Sequence, residues 1–400
     1  MGPTEAIAEF VVSTRADNIP SGVLRGAKRH VVDTLGVALG SSNSEIASIL
    51  REVAKPTTEG EASFWTGSGK SSAADAAWVN GTLAHALDFD DGGVALTPMH
   101  PSAPVLPAVL ALAEAGDLSG LAALCAYTVG VEVECKLANL VSVKHYEHGW
   151  HTTAIVGALG AAAASSWLLE LSAEKTRHAL GIVSSMAGGV RANFGSMTKP
   201  LHAGQAARNG LLAALLAGKG FTANRAILEA NKGVIEVFGL GDSVTGAEMR
   251  NRLGLRPENI RTPEQARFSM EFAVATAILD GEVSLRHFTG PSIQRADVQH
   301  LMTKIHVYVP AELQELESRR NRFGLVRVHL SDGSVVSQKA TKIRGHPPLF
   351  LTEEEVDKKF YDCVVPVLGG VKAQDLLKTL RRIETVSNVR EIFSLLAEHR

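Results

Sequence analysis

Aromatic residues make up only 5% of the 400-residue chain, and cysteine occurs three times. So few aromatics argue against a large sheet-based core, while the many alanines and 37 glycines suit helices packed at close range. Cys125, Cys135 and Cys363 stand far apart. They form no disulfide framework and no cluster of thiolates for an iron–sulfur centre, and free thiols suit a cytoplasmic setting. Charge of one sign is also missing: the net charge is −2. Without a basic surplus nothing points to nucleic acid or to an anionic membrane surface. The apolar stretch Ala154 to Ala164 is too short and glycine-rich to span a bilayer. The first residues, MGPTEAIAEF, have neither the basic nor the apolar stretch of a secretion signal. Repeats and low-complexity tracts are lacking too.

What is present is mostly helical periodicity. Thr4 is placed to cap a first helix, and Ser21 to Gly40 carries Leu24, Ala27, Val31 and Leu35 at helical spacing. Further helices are expected over 43–53, 73–86, 104–114, 118–140, 151–166, 200–217 and 266–279, with amphipathic helices over 371–383 and 389–396. Thr352 and Glu355 form a capping box for a helix through Cys363. The character changes at Gly246. Ile305 to Val309 reads as a strand, and Gly324 to Ser337 as a hairpin turning at Asp332-Gly333 with a type I′ geometry. The expected fold is mainly α: a large all-α domain from 1–245 and 366–400, and a smaller α+β lid domain over 246–365.

Several stretches carry chemistry. Gly67-Ser68-Gly69-Lys70-Ser71 imitates a phosphate loop, but Phe64 occupies the position of its first glycine, leaving a turn before a helix. His145, His148 and His151 are spaced for one helical face, but Gly149 interrupts it and no fourth ligand accompanies them, so no metal is expected. His85-Ala-Leu-Asp88-Phe-Asp90-Asp91 crowds three carboxylates at a helix C-terminus, the unfavourable end of the dipole, which marks them as partnered or functional. His151 opens a helix of very small residues, where a neutral imidazole is favoured and proton transfer is one use for it; a histidine bonded to a backbone carbonyl is the other reading. Met186 to Ala217 joins a glycine-rich loop carrying Arg191 to an apolar helix that begins Lys199-Pro200-Leu201-His202. Backbone N–H groups at such a helix entry, with Lys199, favour an anion such as a substrate carboxylate.

At these residues the chain resembles the MmgE/PrpD family, which includes 2-methylcitrate dehydratase, cis-aconitate decarboxylase and iminodisuccinate epimerase. The matching stretches are HALDFDD (85–91), HPSAPVLPA (100–108), GWHTTAIVGALGAAAA (149–164), TKPLHAGQAARNGLLAA (198–214) and EQARFSMEFAVATAILDG (264–281). The resemblance implies a homodimer without metal or organic cofactor, with a site between the two domains for a small di- or tricarboxylate. By motif it assigns catalysis to Asp88, His100, His151 and Lys199; Arg191 and His202, on the loop and helix around Lys199, are expected as substrate-binding residues. Three departures stand out. Gly92 replaces the threonine, and Phe272 the tyrosine, of the cis-aconitate decarboxylases, and the segment from Gly241 to Ala266 is shorter than in the family.

The expected chemistry is proton transfer alpha to a carboxylate. Lys199 and Arg191 hold carboxylates and stabilise enolate-like charge, His151 or His100 serves as acid or base, and Asp88 orients a histidine. Dehydration of a 2-methylcitrate-like acid is the first reading. Decarboxylation, epimerisation, and a folded but inactive member with an incomplete lid are the alternatives.

Overall fold

The computed structural model describes residues 2–67, 69–92, 98–239, 260, 262–267, 269–308, 324–341, 344–345 and 349–397. Among them α1 (Pro3–Ser13), α2 (Ser21–Gly40) and α3 (Glu45–Ala54) lead to a minimal hairpin, β1 (Ala62–Ser63) with β2 (Lys70–Ser71). Then come α4 (Ala73–Ala86), α5 (Ser102–Ala115), α6 (Gly120–Glu147), α7 (Thr152–Leu168), α8 (Ala173–Ser184), α9 (Thr198–Gly218) and α10 (Val234–Gly239). Thr4 does not cap α1. Gly2 holds that position, and the Thr4 hydroxyl in the first turn instead bonds Glu229 and accepts from the Leu228 N–H.

The domain is built around α7, which packs against α5, α6, α8 and α9 and is buried over nearly its whole length. A helix can be enclosed this way only if its neighbours come close, and small side chains permit that. At Gly210 of α9 a β-carbon would lie 2.6 Å from the Ala162 nitrogen of α7. At Gly204 it would lie 2.2 Å from the Trp78 carbonyl oxygen of α4. The helices that carry His85, His151 and Lys199 are therefore locked against one another by backbone contact.

The second domain has its own small core of Ile260, Ala266, Phe272, Ala275, Ile293, Val298 and Met302. Its helices are α11 (Pro263–Ala266), α12 (Met270–Asp280), α13 (Gly290–Ile293) and α14 (Ala296–Met302). The single helix expected over 266–279 is thus divided, because the Ser269 hydroxyl accepts from the Phe272 N–H and starts a new helix. Residues 305–308 form no strand, and Val309 lies outside the described residues. The hairpin is present as β3 (Gly324–His329) antiparallel to β4 (Val335–Ala340). Its turn is not type I′: only Gly333 of the pair has positive φ, at 84°. Leu330 closes a three-residue loop by accepting from Gly333 and donating to Ser334, while the Asp332 carboxylate accepts from Ser334.

The chain returns to the large domain through α15 (Glu353–Leu368), followed by α16 (Gly370–Arg381) and α17 (Arg390–Ser394). The Thr352–Glu355 capping box starts α15. Val356, Phe360, Cys363 and Val364 belong to the large core, and α15 packs along α2. The return therefore comes near 353 rather than 366, because the apolar stripe of α15 is buried on the large domain. The fold is mainly α, with two small sheets among the described residues. No described helix is long and apolar enough to cross a membrane. The shortened segment noted in the sequence lies largely in 240–259, outside the described residues.

Candidate active site

Helix α4 ends at Ala86, and the chain turns sharply through Asp88, whose φ of 49° is left-handed. Aspartate tolerates that conformation better than most residues, and the turn directs three carboxylates to three sets of partners. Asp88 bonds the ammonium of Lys199, in the first turn of α9, across 111 residues of sequence. Asp90, with no side-chain exposure, accepts from His85 Nδ1 at 2.9 Å and lies 3.4 Å from His100 Nδ1. Asp91 accepts from both the N–H and the hydroxyl of Ser102 at the start of α5, and pairs with His30 of α2 at 3.1 Å. The crowd at a helix C-terminus is thus relieved by contacts made elsewhere, and one member reaches the favourable N-terminus of the next helix.

A cavity of about 260 Å³ opens over this loop, lined by Asp88, Pro98, His100, Tyr146, His151, Thr153, Phe194 and Lys199. Asp88, His100, His151 and Lys199 are the four residues the sequence motifs single out. His100 is held on both sides, by Asp90 at Nδ1 and by Asp88 3.6 Å from Nε2, and its backbone N–H donates to Thr153. His151 stands at the N-cap of α7, where its N–H donates to Gly189 and its ring meets the edge of Phe194. A short bridge between Trp150 and Val190 fastens the glycine-rich loop beside it.

The two cavity histidines titrate in opposite directions. His151 is held well below the ordinary value, first by burial and then by His85, Lys199, His100 and His202. Burial pulls His100 down as well, but the charge and hydrogen bond of Asp90 outweigh it, and its value is raised. Asp90 sits well below the carboxylate range: burial opposes this, and the two imidazoles overcome it. The Asp88 carboxyl is also lowered, Lys199 and His100 outweighing burial. The cavity therefore sets His151, which binds a proton less readily than a free imidazole, beside His100, which holds one more tightly, with Lys199 bonded to Asp88.

Two expected substrate contacts are not among the cavity walls. The Arg191 guanidinium lies over the Tyr146 ring, 3.6 Å from its centre, and donates to the Tyr146 carbonyl. Arg191 thus supports a wall residue. His202 stands behind His151, with the two Nδ1 atoms 3.1 Å apart. Asp88 does lie beside a histidine, 3.6 Å from His100 Nε2, but its closest partner is Lys199, and Asp90 stands against both His85 and His100. The expected helix break at Gly149 is present, and the histidine trio does not converge: His145 donates to the Phe238 carbonyl, away from His151.

Sequence reasoning marked Asp90 only as one of three crowded carboxylates, and it gave no role to His85, Thr153, Phe194 or Tyr146. His85 and Asp90 stand in the HALDFDD stretch, five residues apart across a helix end, a spacing at which the two side chains can meet. His85, Asp88, Asp90 and His100 bring potential ligand atoms within 4.8 Å of one another, a spacing a metal ion could use. Their charges are met by Lys199 and by one another in this arrangement. Phe272, where decarboxylases of the family carry tyrosine, is buried in the second domain's core against Phe288 and does not line the cavity.

A mainly helical two-domain chain with carboxylates, imidazoles and an ammonium around a small cavity has the makings of an acid–base enzyme. The chain belongs to the MmgE/PrpD family: the MmgE/PrpD N-terminal domain matches residues 5–246 and the MmgE/PrpD C-terminal domain residues 243–385. It is similar to the cis-aconitate decarboxylase of Homo sapiens, with 27% identity covering 98% of this chain and 94% of that protein. That alignment spans 456 positions against a chain of 400 residues, so at least 56 of its positions are gaps in this chain. The cis-aconitate decarboxylase of Aspergillus terreus is 32% identical over 58% of this chain and 49% of its own length.

Proposed function

We propose that this protein is a cofactor-free lyase acting by proton transfer next to a carboxylate of a small di- or tricarboxylic acid. The opposed titration of His100 and His151 across one cavity supports this reading most strongly, because environments that push two groups apart supply an acid and a base at one pH. A cavity of about 260 Å³ suits a small acid better than a bulky ligand. Lys199 has three N–H donors, so it can keep Asp88 and still take a substrate carboxylate. In that position it stabilises negative charge developing on the acid, and Asp90 keeps His100 protonated and oriented.

Loss of carbon dioxide from a cis-aconitate-like acid is the favoured reaction, since the relatives above bear that name. The carbon–carboxylate bond breaks, its electron pair enters the conjugated carboxylate system, and His100 delivers a proton to carbon. Dehydration of a 2-methylcitrate-like hydroxy acid is the second reading, favoured by Gly92, beside His100, where the decarboxylases have threonine. There His151 takes the proton alpha to a carboxylate, and His100 protonates the departing hydroxyl. Assembly as a homodimer and a cytoplasmic setting, both expected from the sequence, belong to this reading.

The test incubates the protein with cis-aconitate, 2-methylcitrate and citrate. Released carbon dioxide identifies decarboxylation, and a rise in alkene absorbance without it identifies dehydration. A folded protein that does neither with any of the acids counts against the proposal and for an inactive member.

A further inference from the structure

We propose that Arg267 is a positioning residue through which the second domain sets the geometry of the Asp88–Asp91 loop. Arg267 lies between α11 and α12, each started by its own side-chain cap, at Thr262 and Ser269. Ala266 beside it is buried in the second domain's core. The arginine is therefore fixed to that domain. Across 181 residues of sequence its Nη1 donates to the carbonyl of Ala86 at 2.6 Å.

Ala86 is the last residue of α4. A carbonyl there has no partner further along the helix and lies at the negative end of the dipole, so a guanidinium is a well-matched partner for it. Two residues later Asp88 takes its left-handed turn. That conformation is unfavourable for a non-glycine residue and persists only where the surroundings hold it. On one side the holders are Lys199 on Asp88, Lys359 on the Phe89 carbonyl, and His85 on Asp90. On the other side the holder is Arg267, which fixes the carbonyl from which the turn starts. It also borders a narrow cleft together with His85, Asp88, Ser196, Lys199 and Pro200. A shift of the second domain is thus passed to the groups that carry the charges of the site.

The inference rests on the proposed proton-transfer role of that site for its kinetic consequence, but not for its structural one. Hydrogen exchange at the amides of residues 87–91 reads the structural part, using Arg267→Met and Arg267→Lys in the full chain. Arg267→Met should speed exchange there at least tenfold, and Arg267→Lys, which keeps a charged donor, should restore part of the protection. With an acid that the wild type turns over, Arg267→Met should lower kcat about 10- to 100-fold with KM changed less than threefold, and Arg267→Lys should recover activity in step with protection. Arg327→Met, on the exposed hairpin, serves as the control and should change neither reading. Unchanged exchange in Arg267→Met, or a lower melting temperature with kcat retained, overturns the proposal. A wild type inactive on every acid counts against the proposed reaction, while the exchange result still decides the role of Arg267.

Discussion

The imidazoles of His151 and His202 face each other Nδ1 to Nδ1 at 3.1 Å. One proton between two nitrogens means that one ring is the donor and the other the acceptor, and both are held in the neutral range by burial and by nearby cations. Through this contact His202 fixes the tautomer of His151, and so the state of the nitrogen left for a substrate. His202→Phe should therefore lower kcat by about 10- to 100-fold, within the span of general acid–base catalysis, and change KM little. His202→Asn, with a polar group at the same place, should lose less. Steady-state kinetics on the accepted acid decide the matter; equal activity in all three proteins would leave His202 as packing.

The pH dependence follows from the same environment. A base must be neutral, and His151 resists protonation to values well below 6.5. An acid must be protonated, and His100 holds its proton above 6.5. The profile of kcat/KM should be a bell with its acid limb below 6.5 and its alkaline limb above it. Asp90→Asn removes the charge that raises His100, so the alkaline limb should move to lower pH. An alkaline limb that stays in place would show that His100 is not the acid.

Much of this was legible in the sequence, for identifiable reasons. The helix over 73–86 announces itself through small and apolar residues behind a Ser72 cap, and its bounds agree with the structure; the one expected over 151–166 runs from Thr152 to Leu168, with His151 at its N-cap. The motif residues Asp88, His100, His151 and Lys199 stand at helix ends, where side chains are free to converge on one cavity. The misses arise where a long-range partner decides. Asp88 stands 3.6 Å from His100, as its expected role requires, but its nearer partner is Lys199, 111 residues on, which no local pattern announces. Arg191 looked like a carboxylate anchor, but Tyr146 lies within reach of its guanidinium. Periodicity carried the helix at 266 straight through Ser269, whose hydroxyl starts a new one.

His30 and Asp91 join α2 to the acidic loop at 3.1 Å. Burial lowers the His30 value, but the bond and charge of Asp91 outweigh it, and the net shift is upward. A raised histidine contributes its stability in full below 6.5 and loses it as pH rises through the folded-state value. The side chain is 45% exposed, so the contribution stays under about 1 kcal/mol. The melting-temperature difference between wild type and His30→Gln should be positive, ~1–3 °C, at pH 6 and close to zero at pH 9. A difference that grows toward alkaline pH would contradict the sign.

Gly204 tests whether helix contact sets the site. A β-carbon there would lie 2.2 Å from the Trp78 carbonyl and 2.1 Å from the Thr82 hydroxyl, so α4 and α9 would have to separate. Overpacking of this kind costs about 1–3 kcal/mol, and more where backbone must move. Gly204→Ala should lower the melting temperature and also loosen the Lys199–Asp88 contact, since each helix carries or leads to one partner. Gly26→Ala, at a position with no atom within 4 Å, is the matched control and should be close to neutral. Equal melting temperatures for the two variants would be incompatible with this packing.

Lys199 is 4% exposed and bonds Asp88, so its loss should cost stability as well as activity. Lys199→Ala leaves the Asp88 carboxylate at a mostly buried position with only His100, 3.6 Å away, to offset its charge. Breaking a fully buried pair costs about 3–5 kcal/mol, and the 15% exposure of the Asp88 side chain at the cavity reduces that to about 1–3 kcal/mol. Asp88→Asn alone leaves the ammonium in the same position. The double variant Asp88→Asn/Lys199→Ala removes both charges and should be more stable than the sum of the single losses predicts. Activity should behave otherwise: loss of the ammonium costs about 2–4 kcal/mol of transition-state stabilisation, roughly 30- to 1000-fold in rate, and the double variant should recover none of it. Denaturation and turnover measured on the four proteins of this cycle separate the two roles. Additive stability losses would mean that the pair is not coupled, and near-normal turnover in Lys199→Ala would remove Lys199 from the proposed chemistry.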